Sequence, residues 1–331
     1  MKPRDIFLKS LRREPTPRPA TGSATSVVTV DLMKKVGTYF PDVHHDAQKM
    51  ADLAAAGHTE IGFDNVMPLF SVCHESAAIG CKVDWGKIDI MPAIIGRPYK
   101  IQDEIRIPRD FLSAPEVQVA LDAIAILKKR FGDEVAVVGK VFGPWTLGYH
   151  VFSVEEFLIN TILAPDLVKR AIASLKEVTV AFGKAQIDAG ADALCVGDHV
   201  TRDLCSPEAY RDFVKEAHTE LVGRIPCPLI LHTCGDTADR IPYMRETGMA
   251  CFHFDSKVPT AKARELAGEK MSLMGGTSNF RIIREGTSET IAADGREKKA
   301  CRIDIIGPEC AVPLDAPYRN MKMLVEEVWK S

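Results

Sequence analysis

His232 and Cys234 stand one residue apart in Leu231-His232-Thr233-Cys234-Gly235, directly after the apolar run Pro228-Leu229-Ile230-Leu231. Side chains two apart in an extended segment face the same way, so an imidazole nitrogen and a thiolate can reach one point from a single strand end. A third donor, Cys310, lies in Ile305-Ile306-Gly307-Pro308-Glu309-Cys310, again after an apolar run. One imidazole and two thiolates suit Zn²⁺, and three protein ligands leave a tetrahedral position open, as in catalytic rather than structural zinc sites. An arbitrary His-x-Cys is more often a core histidine beside a buried thiol. The strand-end position, the Gly235-Asp236-Thr237 turn that follows and the second strand end at Cys310 favour a metal.

Such convergence requires elements that end at a common face. β-Rich runs at residues 26–30, 59–63, 135–141, 193–196, 229–231, 251–254, 272–274 and 303–306 read as eight strands. Between them lie helical patterns: residues 46–56 stop at Gly57, 115–131 at Gly132 and 165–189 at Gly190, while 207–222 open after Ser206 with Pro207 at the first helical position. Alternating strands and helices predict parallel βαβ units, and eight of them predict an α/β fold, a (β/α)₈ TIM barrel. His232 and Cys234 would then end strand five and Cys310 follow strand eight, on the face where barrel active sites lie. The first 110 residues are less regular and are expected to add N-terminal helices that wrap or cap the barrel. Nothing marks a linker or repeat, so residues 1–331 read as a single domain.

Other residues share the expected mouth. Asp198 follows Ala193-Leu194-Cys195-Val196 and reads as catalytic or substrate-binding, or else as a helix cap; His199 reads as a loop residue. Trp145, in Phe142-Gly143-Pro144-Trp145-Thr146, walls a pocket or packs as a buried indole. Asp255 shares a strand face with His253 and lies nearer the mouth. Asn279 closes Gly275-Gly276-Thr277-Ser278-Asn279, where small residues let backbone approach a ligand. Glu309 supports Cys310 or faces solvent.

Composition narrows the field. The chain has 42 lysines and arginines against 45 aspartates and glutamates, a net charge of −3, which excludes the electrostatic footprint of a nucleic-acid or membrane binder. Its one compact basic run, Arg296-Glu297-Lys298-Lys299, reads as a solvated helix face. No apolar stretch approaches the roughly 20 residues of a bilayer span, and the N-terminus lacks a signal-peptide core, so a cytoplasmic location is expected. Nine cysteines without a C-x-x-C pair fit a reducing compartment, with Cys195 and Cys251 as buried hydrophobes. Neither phosphate-binding glycine motif is present.

Taken together, Phe40-Pro41-Asp42, Gly80-Cys81-Lys82-Val83-Asp84-Trp85-Gly86, Phe142-Gly143-Pro144-Trp145-Thr146, Gly190-Ala191-Asp192-Ala193, Leu231-His232-Thr233-Cys234-Gly235 and Pro308-Glu309-Cys310-Ala311-Val312-Pro313 resemble the uroporphyrinogen decarboxylase superfamily. Within it, the chain is similar to the methylcobamide:coenzyme M methyltransferases. The resemblance implies that His232, Cys234 and Cys310 hold zinc. It also implies that a thiol such as coenzyme M loses its proton there and attacks a methyl group on a corrinoid cobalt. A free thiol, with a pKa near ~8.5, is mostly protonated at neutral pH, whereas a metal-bound thiol is not. The corrinoid is expected on a partner protein, because the chain lacks the D-x-H-x-x-G segment that supplies a cobalt ligand; Asp42-Val43-His44-His45-Asp46-Ala47 has alanine where glycine is needed.

True decarboxylases carry an arginine-bearing R-Q-A-G-R-Y segment for the substrate carboxylates. The stretch Ala20-Thr21-Gly22-Ser23-Ala24-Thr25-Ser26 has no arginine, which argues against that reaction. Asp198-His199-Val200-Thr201-Arg202 departs from the Asp-Pro-Thr string of many members and leaves the acceptor or partner open. The alternatives are a relative that moves methyl from a small donor onto a corrinoid protein, a uroporphyrinogen decarboxylase, and a non-catalytic zinc- or corrinoid-binding accessory protein. The acceptor and the oligomeric state are not legible.

Overall fold

Eight short parallel strands form the framework of the computed structural model, which describes residues 1–330. They are β1 (Ala20–Thr21), β2 (Asn65–Val66), β3 (Ala136–Phe142), β4 (Ala193–Gly197), β5 (Leu229–Thr233), β6 (Cys251–Phe254), β7 (Ser272–Gly275) and β8 (Ile305–Ile306). Hydrogen-bonded neighbours run β1-β8-β7-β6-β5-β4-β3-β2, every pair parallel. This is a nearly closed (β/α)₈ barrel. All residues of β3 to β7 are buried, as parallel strands covered by helices must be.

β1 and β2 share no ladder; side chains close the gap between them. The Asn65 side chain accepts from the Ser23 N–H (3.1 Å) and donates to the Ser23 carbonyl (2.8 Å). The Thr21 N–H donates to Asp64 Oδ2 (2.7 Å), and the Asp64 N–H to the Thr21 carbonyl (2.7 Å). Arg18 meets the fully buried Asp64 carboxylate through two bonds of 2.7 Å, the bidentate geometry a guanidinium favours.

The helices form where spacing predicts them. Pro115–Phe131 buries Val117, Ala120, Ile124 and Leu127, a stripe at helical period. Pro165–Asp188 starts with proline at its first turn. Ser206 caps the next helix by accepting from the Ala209 N–H at 3.1 Å, although that helix passes through a π segment at Tyr210–Val214. Ahead of β3 the chain adds helices Pro3–Leu11, Val30–Val36, Ala47–Ala56 and His74–Ala78, and an antiparallel hairpin of Lys82–Asp84 and Ala93–Gly96.

Three expected strands differ. The first is at Ala20–Thr21, not 26–30; residues 26–29 join no ladder and Val30 opens a helix, with Val30 N–H donating to Leu314 O and Val312 N–H to Ser26 O. The second is at Asn65–Val66, because the helix before it overruns into a π turn at Gly57–Ile61 and stops at Gly62, whose φ is +97°. The eighth shortens to Ile305–Ile306. The basic run also departs from a solvated face: Lys298 is buried, bonded to Thr260 and Asp294.

Candidate metal centre and its cavity

β5 carries His232 near its end, in register with Gly197 of β4 and His253 of β6. Cys234 is the first residue beyond the strand, and Gly235 then turns the chain at φ +85°. That turn admits no side chain: a Cβ on Gly235 would lie 2.3 Å from Thr201 Oγ1. The Gly235 N–H donates to Asp255 Oδ2 at 2.8 Å, so Asp255 fixes the turn that presents Cys234.

Cys310 arrives on a loop tied down from both sides. The Glu309 N–H donates to the Thr277 carbonyl, while the Glu309 carboxylate accepts from the Asn279 N–H (2.7 Å) and the Ser256 N–H (2.9 Å). Asn279 Nδ2 donates to the Ala311 carbonyl (2.8 Å), and His253 Nε2 to the Pro308 carbonyl (2.8 Å). Cys310 is thereby held between two anchored neighbours.

The three donor atoms converge. His232 Nε2 is 3.2 Å from Cys234 Sγ and 3.4 Å from Cys310 Sγ, and the two sulfurs are 2.7 Å apart as free thiols. Among the described residues this is the one cluster of three or more His, Cys, Asp or Glu donors spaced to share an ion. The nitrogen–sulfur separations are near the ~3.5 Å edge enclosed by the Zn–N and Zn–S bonds of a tetrahedral ion; the sulfurs lie closer and would part on loading. His232 Nδ1 lies 3.3 Å from the His253 carbonyl, a contact that requires the proton on Nδ1 and leaves Nε2 as ligand atom. The Cys234 and Cys310 sulfurs share a hydrogen bond, and this bond, with His232 alongside, holds Cys310 well below the usual thiol range. The same bond, together with burial, pushes Cys234 up.

These donors face a cavity of about 280 Å³, whose walls include Thr25, Val72, Lys140, Phe142, Thr146, His150, Asp198, His199 and Ala311. Asp198 has no free oxygen. Its Oδ1 accepts from the Thr146 N–H (2.7 Å) and hydroxyl (2.9 Å), and its Oδ2 accepts from His218 Nε2 (2.9 Å). His218 Nδ1 in turn accepts from the Tyr210 hydroxyl (3.1 Å), and Thr146 Oγ1 accepts from the His199 N–H (2.7 Å). Gly143 is required here, since a Cβ would lie 2.2 Å from Asp198 Oδ2. Asp198 thereby ties together the loops after β3 and β4 while standing in the cavity wall.

The remaining site residues expected from sequence fall behind the cavity wall. Trp145 is fully buried, its indole N–H donating to the Tyr149 hydroxyl and its ring edge-on to Phe157 at 5.0 Å; it packs and does not line the cavity. Asp255 and Asn279 support the Cys234 turn and the Cys310 loop without entering the lining. Sequence reading missed Lys140, His150, His218 and Thr146. A lysine inside Ala136-Val137-Val138-Gly139-Lys140-Val141 was a visible signal, whereas His218 sits mid-helix with none.

The parallel barrel, with ligands gathered where its strands end, has the architecture of a β/α-barrel enzyme. Residues 2–331 match the uroporphyrinogen decarboxylase (URO-D) family model. The chain belongs to that family, in its methylcobamide:coenzyme M methyltransferase-like branch, and is an enzyme of the methyltransferase class. It is 33% identical over 298 residues to the methylated-thiol–coenzyme M methyltransferase of Methanosarcina mazei, covering 90% of this chain and 81% of that one. It is 28% identical to the methylcobamide:CoM methyltransferase MtaA of Methanosarcina barkeri, covering 96% and 95%. A solved methyltransferase from Methanosarcina mazei superposes with a TM-score of 0.96 at 28% identity, over 99% of this chain and 98% of that one. Uroporphyrinogen decarboxylases are more distant, that of Bordetella petrii at 22%. No helix among the described residues is long and apolar enough to cross a membrane.

Proposed function

We propose that the protein is a zinc-dependent methyltransferase that moves a methyl group from a methylated corrinoid, carried by a separate protein, to a small thiol such as coenzyme M. The observation that carries this reading is the convergence of His232, Cys234 and Cys310 on a cavity of about 280 Å³ at the barrel mouth. That volume lies near the lower end for ligand pockets and suits a small thiol. Zinc held there would supply the Lewis acidity that keeps a substrate sulfur deprotonated at neutral pH. The residues around it orient and hold: the His253 carbonyl fixes His232, Glu309 and Asn279 pin the Cys310 loop, and Asp198 locks Thr146 and the His199 backbone. Phe142 and Val72 supply apolar wall.

The reading takes residues 1–331 as one barrel domain working in the cytoplasm, where thiols stay reduced. The name of the 33%-identical relative supports a second reading, in which the methyl donor is itself a methylated thiol. Uroporphyrinogen decarboxylation is not favoured, because the lining holds no arginine to grip several carboxylates.

Demethylation of methylcobalamin by the zinc-loaded protein, followed by visible absorbance, tests the proposal. Thiol-dependent loss of the methyl–cobalt spectrum is expected with coenzyme M, and methyl-coenzyme M should accumulate in equal amount. Formation of methyl-coenzyme M from coenzyme M only when a methylated thiol is supplied as methyl donor, with the free thiol released in equal amount, would favour the second reading; absence of thiol-dependent turnover in fully metallated protein would contradict the first.

A further inference from the structure

Lys140 is a lysine inside the barrel. It lies on β3, whose seven residues are all buried, and is itself only 4% exposed. Its backbone is gripped from outside: the Lys140 N–H donates to Gln186 Oε1 and Gln186 Nε2 donates to the Lys140 carbonyl, both at 2.8 Å. On an alternating strand Lys140 and Phe142 share a face, and both line the cavity that holds the metal donors. The ammonium lies 4.9 Å from the centre of the Phe142 ring. Among the described residues no hydrogen-bond acceptor reaches it, and no carboxylate comes within 4 Å. Glu75 is close enough for Lys140 to favour its ionised form, but its Oε1 accepts from the Phe142 N–H (2.7 Å) and it makes no direct ion pair with the ammonium.

The ammonium thus faces the cavity with no hydrogen-bonded counter-ion, and one ring face supplies only part of what an anion would. Lys140 is also the one lysine or arginine among the lining residues. We infer that Lys140 anchors the anionic end of the acceptor thiol, so that the site selects small thiols bearing a sulfonate or carboxylate across a short carbon spacer from the sulfur. The inference rests on the thiol-acceptor reading and names its specificity. The sulfur goes to the His232, Cys234 and Cys310 corner and the acid group to β3, which fixes the acceptor at both ends. A charge-assisted bond to a buried lysine is strong enough to discriminate between acceptors.

Binding of three thiols to zinc-loaded protein by calorimetry tests it: coenzyme M (sulfonate), 3-mercaptopropionate (carboxylate) and 2-mercaptoethanol (neutral). Wild-type protein should bind at least one anionic thiol tenfold or more tightly than the neutral one, and the ratio of the two anions identifies the acid group preferred. Lys140→Met should weaken the anionic thiols at least tenfold, leave 2-mercaptoethanol and zinc content unchanged, and be rescued in part by Lys140→Arg. Ethanesulfonate, which has no sulfur to offer the metal, should compete with coenzyme M in wild-type protein, an arm that stands even if the variants fail to fold. Equal weakening of the neutral thiol would mean that Lys140 only balances charge at the metal, and would overturn the proposal. So would unchanged coenzyme M affinity in Lys140→Met, or no competition by ethanesulfonate. Lys140-dependent anion binding without methylcobalamin turnover would sustain the anchor while removing the methyltransferase reading.

Discussion

Cys310 shows how a residue's role depends on what holds it. Its loop hangs on Glu309, Asn279 and His253, and none of these donates to the metal position itself. Because Cys310 sits on a loop beyond β8 and not in the packed barrel, Cys310→Ala should fold normally. Metal analysis should then show zinc falling from about one per chain to a small fraction, since two protein donors hold the ion poorly. Undiminished zinc in the folded variant would remove Cys310 from the site. The donors themselves were legible, because His-x-Cys in an extended segment has one geometry. The supports were not: Asp255 and Asn279 looked like substrate contacts, but a sequence gives no sign that such side chains are spent on neighbouring loops. Trp145 fits a pocket wall and a buried indole equally well until its neighbours Tyr149 and Phe157 are known.

At the scale of elements, long buried strands were readable and short ones were not. β3 to β7 are predominantly apolar, the mark of parallel strands covered on both faces. β1 and β2 are two residues each and leave no period to read. The more β-branched stretch at 26–30 outcompeted β1 on propensity, yet its hydrogen bonds go to the segment at 312–314. What replaces a ladder between β1 and β2 is the pair Asp64 and Asn65. Asn65→Ala would leave the buried Ser23 N–H and carbonyl without these partners, a loss of about 3 kcal/mol. Chemical denaturation should show that loss, together with faster hydrogen exchange in both strands; a change below about 0.5 kcal/mol would mean the barrel closes by other contacts.

Across the whole molecule, buried histidines set the acid limit of stability. Burial lowers His44 to about 3, and His74 and His150 to about 4. A histidine depressed in the fold contributes stability that is complete above its unfolded value near 6.5 and is lost as pH falls toward the folded value. At pH 5 each costs on the order of 2 kcal/mol. Glu75, raised by burial to about 7, runs the other way between about 4.5 and 7 and offsets part of this. Neither His44 ring nitrogen has a partner, so His44→Leu should gain roughly 2 kcal/mol at pH 5 relative to its effect at pH 7.5. Equal effects at the two pH values would show that His44 is not held neutral.

The central claim, that the acceptor sulfur joins His232, Cys234 and Cys310 on one zinc ion, is open to X-ray absorption at the zinc edge with and without coenzyme M. Three protein donors leave one tetrahedral position, and a neutral thiol must shed its proton to fill it, so binding should weaken in acid. The account predicts that the zinc-bound sulfur count rises from two to three on adding coenzyme M. A count that stays at two, in a sample that turns over, would place thiol activation elsewhere and contradict it.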